Sequence, residues 1–272
     1  MREYKSKKEQ NSMRYGLKLA FSAMAVAFTL SVAHAEDMKK LIIGTEGAYP
    51  PFNNLTADGK IEGFDIDIAN ALCAEMKVEC TIVTQDWDGI IPALQAKKFD
   101  AIIASMSITD ERKEKVDFTH KYYNTPPAIL VPKDSAIADV TPEALAGKSL
   151  GVQASTTHFN FAEAKYGDSD IKGFPSAQEY QLDIANGRVD AVMDDVMVLK
   201  GFLATPEGTA CCKILGTIAP DKKIHGEGAG IAVRKGETEL ADKLNAAIDA
   251  IRANGKYKEI QDKYFDFDVY GG

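Results

Sequence analysis

Apolar positions along this chain change their period repeatedly, which marks the order of its elements. Residues 41–43 form a short apolar run that reads as a strand, and Phe64, Ile68, Leu72 and Met76 recur at four-residue steps, as on one face of a helix. Asp58-Gly59 between these segments predicts a hairpin turn. A strand over 81–83, a helix over 90–96 and a strand over 101–103 follow. After a break at Asn124-Thr125-Pro126-Pro127 the alternation resumes. Thr141-Pro142-Glu143 predicts a short helix with a cap and a proline at its first position. Residues 149–153 read as a strand and 159–166 as a helix. Ser176-Ala177-Gln178-Glu179 is a capping-box pattern opening a helix to Ala185. A strand over 189–193, a helix over 196–203 and two final helices from Thr238 and Tyr257 complete the series. Such alternation predicts an α/β protein with right-handed crossovers.

Two observations organise that pattern. Leu94-Gln95-Ala96-Lys97-Lys98-Phe99-Asp100-Ala101-Ile102 parallels Ile184-Ala185-Asn186-Gly187-Arg188-Val189-Asp190-Ala191-Val192, each a helix end, a tight turn and an Asp-Ala opening an apolar strand. The match suggests two related halves. The polar candidates also share a position: Glu46, Ser105 with Ser107, Ser155 to Thr157, and Asp195 each follow a predicted strand. Open α/β sheets bind ligands at the carboxyl ends of strands. Two of these groups come from each half, so a cleft between halves brings them together.

The first residues change the picture of where the chain works. Lys5, Lys7, Lys8, Arg14 and Lys18 form a basic region, residues 17–32 are apolar, and Ala33-His34-Ala35 is a small-residue cleavage pattern. This reads as a secretory leader over 1–35, with Met13 a second candidate start. The mature chain is expected to be soluble and to begin near Glu36. The formal charge of the whole chain is −8, and without residues 1–35 there remain 26 basic and 38 acidic residues, a charge of −12. An acidic surface of this size argues against nucleic acid and accords with a cationic ligand. In an export context the four cysteines, Cys73, Cys80, Cys211 and Cys212, are permitted to pair. The adjacent Cys211-Cys212 reads most simply as two part-buried thiols, and no His/Cys spacing of the zinc type accompanies it.

Three segments in order carry a family resemblance. Thr45-Glu46-Gly47-Ala48-Tyr49-Pro50-Pro51-Phe52 precedes Gly63-Phe64-Asp65-Ile66-Asp67-Ile68-Ala69-Asn70-Ala71-Leu72-Cys73, and Ser105-Met106-Ser107-Ile108-Thr109-Asp110-Glu111-Arg112 follows. Together they resemble the signature of extracytoplasmic amino-acid-binding proteins, the receptor subunits of polar amino-acid import systems, and most nearly the branch that binds histidine or lysine, arginine and ornithine. The resemblance implies a two-lobed periplasmic-binding-protein fold of type II with the ligand in the cleft between lobes. It places lobe 1 in 36–124 plus 230–272 and an inserted lobe 2 in 125–229, with crossovers near 124–126 and 226–230. It also implies a Cys73–Cys80 disulfide, a periplasmic location, a monomer, and a membrane permease of an ABC transporter as partner.

Roles for the candidates follow from that resemblance and from chemistry. Arg112 matches the arginine that grips the ligand carboxylate, for which a planar guanidinium is suited. Thr157 presents its backbone N–H and hydroxyl to the same carboxylate, with Thr156 the near alternative or a plain helix cap. Asp195, chosen over Asp194 because it stands five residues after Asp190, takes the α-ammonium, with Ser105 or Ser107 as further acceptors. Glu46 reads a distal cation, Tyr49 stacks over the aliphatic stem, and Trp87, the only tryptophan, offers an indole face to that cation. These assignments favour arginine, with ornithine, lysine, histidine and opine-like arginine conjugates open and glutamine disfavoured.

Other chemistries find less support. Gly226-Glu227-Gly228-Ala229-Gly230 precedes a strand and opens no helix, so it is no dinucleotide fingerprint. His120, His158 and His225 are scattered and set no metal spacing, and no phosphate loop is present, so neither cofactor nor metal is expected. An exported dehydratase acting on cyclohexadienyl acids on the same scaffold is the enzymatic alternative, with Glu46 as its acid. Presentation of the ligand-bound form to a chemoreceptor is compatible with transport.

Overall fold

The computed structural model describes residues 40–271, so the leader read in residues 1–35 lies outside the described part. The chain opens with β1 (Lys40–Thr45), the short strands β2 (Ala48–Tyr49), β3 (Asn53–Leu55) and β4 (Ile61–Glu62), then α1 (Phe64–Met76), β5 (Glu79–Thr84), α2 (Trp87–Gln95), β6 (Ala101–Ile102), α3 (Asp110–Lys113) and β7 (Val116–Tyr123). A second series runs β8 (Pro127–Pro132), β9 (Ser149–Gln153), α4 (Thr157–Lys165), β10 (Asp170–Phe174), α5 (Ala177–Ala185), β11 (Ala191–Asp195), α6 (Val196–Leu203), α7 (Pro206–Cys211), β12 (Cys212–Thr217) and α8 (Lys222–His225). The chain closes with β13 (Ala229–Arg234), α9 (Thr238–Ala253) and α10 (Lys256–Tyr264).

Two five-stranded sheets result, ordered β5-β1-β6-β13-β7 and β10-β9-β11-β8-β12. In each, three parallel strands are followed by an antiparallel one: β1 pairs parallel with β5 and β6, and β9 with β10 and β11. β13 then runs antiparallel beside β6, and β8 beside β11. The chain passes between the sheets twice, after β7 and before β13. The mixed α/β architecture expected from the alternation, and the two lobes that the family resemblance implies, are therefore present.

The sequence echo has a structural counterpart. Asp100, just before β6, accepts the Ile42 N–H at 3.0 Å, and Asp190, just before β11, accepts the Ser149 N–H at 2.8 Å. Their own backbone N–H groups return bonds to the carbonyls of Ile42 and Ser149. The same aspartate thus closes the same strand pair in both halves.

Packing follows from which faces are apolar. α1 buries Phe64, Ile66, Ile68, Leu72 and Cys73, and Phe64 sits among Phe52, Tyr122, Tyr123, Tyr257 and Phe265 with ring centroids 5.1–6.4 Å apart. Offset and edge-on ring pairs of this kind each contribute roughly 0.5–1.5 kcal/mol beyond their buried area. A second cluster (Leu150, Val152, Phe161, Ala191, Met193) fills the other sheet, and a third (Ile90, Leu94, Phe99, Ile102) lies under α2. The hairpin predicted at Asp58-Gly59 joins β3 to β4, with Gly59 at φ +85°.

Several expectations are corrected. Residues 141–146 form turns, with Ala144 and Leu145 bonding back to Thr141, and Gly147 at φ +70° then redirects the chain into β9 before a helix can extend. Ser176 stands at the start of α5 but makes no side-chain capping bond. α2 begins at Trp87, not Ile90, so the tryptophan belongs to its first turn. β11 runs two residues further than read, which puts Asp195 on the strand and at the N-cap of α6. The Cys73–Cys80 disulfide ties the last turn of α1 to β5 across a Cα–Cα distance of 6.1 Å. Cys211 and Cys212 are also joined as a disulfide, not left as two thiols, where α7 ends and β12 begins.

Two outcomes test this frame. Replacing the first pair (Cys73→Ser with Cys80→Ser) should lower stability to chemical denaturation by about 2–4 kcal/mol, through lost restraint on the unfolded chain. Gly63→Ala should destabilise by more than about 1 kcal/mol, since Gly63 has φ +128° and a Cβ there would lie 2.3 Å from the Phe52 carbonyl oxygen. A midpoint unchanged from the unaltered protein would contradict either account.

Candidate functional site

The carboxyl ends of β1, β6, β9 and β11 converge on the boundary between the two sheets. There the lobes touch through a set of polar bonds. Gln153, at the end of β9, donates from Nε2 to Glu46 Oε1 at 2.6 Å, and Tyr49 donates its hydroxyl to Asp194 Oδ1 at 2.5 Å. Trp87 Nε1 and Arg112 Nη2 both donate to the Ser155 carbonyl, at 3.0 and 3.4 Å. Ser107 Oγ lies 3.4 Å from Thr157 Oγ1. The lobes are closed on a cavity of about 30 Å³ lined by Glu46, Tyr49, Trp87, Ser105, Ser107, Arg112 and Thr157, with Gln153 and His158.

Seven of the eight ligand-contact candidates therefore meet around one cavity. Asp195 lines the larger neighbouring pocket of about 560 Å³, which shares Tyr49, Ser105, Ser107, Thr157 and His158 with the cavity. Its carboxylate accepts the Met197 N–H at 2.7 Å and the Thr125 hydroxyl, so it faces the crossover. Asp194 is bonded by Tyr49, Tyr180 and the Asp195 N–H, and its Oδ1 lies 3.5 Å from His158 Nε2.

Burial sets the charges of this place. Glu46 is 9 % exposed, and burial, opposed by the Gln153 bond and reinforced by the Asp194, Asp86 and Asp88 charges, raises its pKa to about 7. Burial likewise raises Asp195 to about 7 and Asp194 to about 6. Arg112 is desolvated enough to fall to about 10. Its guanidinium donates to the Ser107 and Ser155 carbonyls and stacks over Trp87 at 5.2 Å, and among the described residues it bonds to no carboxylate. An excess of buried carboxylates over cations is costly unless a positive ligand relieves it.

Local structure explains the remaining placements. Thr156, not Thr157, caps α4: its hydroxyl accepts the Phe159 N–H at 3.1 Å, which leaves Thr157 at the first helical position, facing the cavity beside Arg112. A helix N-terminus next to a guanidinium favours an anion. Trp87 offers one face of its indole to the Arg112 guanidinium at 5.2 Å and also lines the cavity.

Sequence reasoning did not place Gln153 or His158 at the cavity. Gln153 is the last residue of an apolar strand, where the side-chain direction depends on the sheet's register. His158 lies 38 positions or more from the other mature histidines, yet its ring packs 5.5 Å from that of His225. Burial lowers both to about 4, so both are neutral at pH 7. Among the described residues no group of three metal-ligating side chains is present.

The chain is 50 % identical over 257 residues to the L-arginine-binding protein of Pseudomonas aeruginosa, a match that covers 93 % of this chain and 98 % of the relative. The histidine-binding periplasmic protein of Salmonella typhimurium is 38 % identical over 264 residues, 96 % of this chain and 98 % of the relative. A solved Salmonella typhimurium periplasmic binding protein, described for its high arginine specificity, superposes with a TM-score of 0.76 at 36 % identity, covering 84 % of this chain and 99 % of that one. Residues 41–267 match the bacterial extracellular solute-binding proteins, family 3, and the chain belongs to that family.

Proposed function

We propose that this protein is an extracytoplasmic receptor that closes its two lobes around a basic L-amino acid, arginine foremost, and delivers it to an ABC transporter. The observation that carries the reading is Glu46: a carboxylate buried in the cavity wall, raised to about 7, and bonded there only to the neutral Gln153 amide. A ligand guanidinium or ammonium supplies the missing positive charge. Asp195, or its neighbour Asp194, and the Ser105 and Ser107 hydroxyls take the α-ammonium. Arg112 and the Thr157 N–H take the carboxylate. The similarity to an L-arginine-binding protein supports the same choice.

Opening and closing are assigned to the two crossovers, near 124–126 and 226–230, between lobe 1 (36–124 plus 230–272) and lobe 2 (125–229). Closure removes water, so each ion pair acts at lower dielectric and counts for more. The protein acts as a monomer in the periplasm after loss of residues 1–35, with a membrane permease as partner. It binds and does not catalyse, since the site's unsatisfied charges match a zwitterion with a cationic side chain, and the relatives described above are binding proteins.

Calorimetric titration of the ligand-stripped protein tests the reading. Arginine should bind roughly 10- to 100-fold more tightly than citrulline, which has the same shape without the charge. Equal binding would remove Glu46 from its role. Arg112→Ala should weaken arginine binding by about 2–5 kcal/mol, because the ligand carboxylate is then buried unpaired; an unchanged affinity would remove the carboxylate assignment.

Affinity for arginine should also fall as pH drops. In the closed, ligand-free site Glu46 takes up a proton near pH 7, whereas a bound cation holds it ionised. Below pH 7 binding must expel that proton, which weakens affinity by up to about tenfold per pH unit for this group. Above pH 7 its contribution is constant. Glu46→Gln should flatten this part of the profile and narrow the preference over citrulline. A flat profile from pH 8 to 5 in the unaltered protein would contradict the scheme.

A further inference from the structure

Asp65 is fully buried on the first turn of α1, away from the cavity lining, yet it carries a carboxylate. It is surrounded by donors. Tyr122 donates to Oδ1 at 2.7 Å, and Asn53 Nδ2 and Ser105 Oγ donate to Oδ2 at 2.9 and 3.0 Å. Each donor leads to the site. Asn53 Oδ1 accepts the Gly47 N–H at 2.7 Å, which holds the turn just after Glu46. The Tyr122 hydroxyl accepts the Ser105 N–H at 3.0 Å, and Tyr122 lies on β7 just before the crossover. Ser105 is thus gripped twice, at its N–H and at its hydroxyl, while its backbone sits at φ +55°. A left-handed serine costs energy and persists only where its surroundings over-determine it.

The direction of the bond at Ser105 has a chemical consequence. A hydroxyl has one proton and two lone pairs. An ionised carboxylate only accepts, so the proton of Ser105 points to Asp65 and its lone pairs are left for donors. We infer that Asp65 is a positioning residue for amine recognition: by drawing the Ser105 proton it fixes that hydroxyl as an acceptor, suited to a ligand α-ammonium and unsuited to a carboxylate. This inference rests on the proposed binding of an amino acid with its α-ammonium beside Ser105. It assigns the acidic residue of the Gly63-Phe64-Asp65 segment to ligand selectivity as well as to packing.

The test compares arginine with its desamino analogue, 5-guanidinopentanoate, which keeps the guanidinium and carboxylate and lacks the amine. Affinities for both are measured by calorimetry on the unaltered protein, on Asp65→Asn and on Tyr122→Phe, each checked for folding by circular dichroism. Asp65→Asn should reduce the ratio of the two affinities by about tenfold, because an amide no longer orders the Ser105 proton. Tyr122→Phe, which releases the Ser105 N–H but leaves the carboxylate, should reduce it too, and serves alone if Asp65→Asn does not fold. A folded variant that loses affinity for both ligands equally, with the ratio kept, has lost only general structure and overturns the inference. An unaltered protein that does not prefer arginine overturns the proposed amine recognition and this inference with it.

Discussion

The cleft holds more buried negative charge than its own cations can answer, and the rest of the site is arranged around that imbalance. Glu46, Asp194 and Asp195 have pKa values raised to about 6–7 by burial, while Arg112 is the one arginine lining the cavity. Protein hydrogen bonds moderate the cost without removing it: Gln153 serves Glu46, Tyr49 and Tyr180 serve Asp194, and Thr125 serves Asp195. Neutral donors lower a buried carboxylate's energy less than a cation does. The proposed ligand brings two positive groups, one for Glu46 and one for the Asp194–Asp195 pair, and one negative group for Arg112.

The geometry that makes this possible comes from how the two sheets end. Each places the carboxyl ends of its parallel strands at the boundary, so the segments after them supply the polar side chains and α4 supplies a helix N-terminus. Asp100 and Asp190 close equivalent strand pairs, which explains why a faint sequence echo survives there. Those aspartates do structural work that any copy of the half-fold requires. The polar residues at the cleft, by contrast, differ between the halves, with Glu46, Ser105, Ser107 and Arg112 on one side and Gln153, Thr157 and His158 on the other.

Most of the architecture was legible because apolar period and turn residues are local signals. The helix over α1, the hairpin at Asp58-Gly59 and the strand β9 required only neighbours in sequence. Thr141-Pro142-Glu143 misled because its cap and proline were real, but Gly147 and the start of β9 leave no length for a helix. The site was legible only in part. Glu46, Ser105 and Arg112 stand in the three family-like segments, whereas Gln153 stands outside them and meets Glu46, 107 positions away, and Asp65, though within one, bonds to Ser105, 40 positions away. Polar residues within otherwise apolar elements give no local sign of which distant group they meet.

Trp87 links Arg112, the cavity wall and the facing lobe. Its flanking aspartates placed it near the surface of the cleft, and it does line the cavity. An indole face attracts whichever cation lies over it, and here Arg112 is already there at 5.2 Å. With its Nε1–H bonded to Ser155 of the facing lobe, the ring holds Arg112 toward the carboxylate end of the proposed ligand. In the proposed scheme the charge on the distal cation is answered by Glu46. Glu46 can pair with a guanidinium or an ammonium alike, so charge alone does not separate arginine from lysine. That separation must come from reach and shape, set by the Tyr49 ring and the Gln153 amide that fixes Glu46 in place.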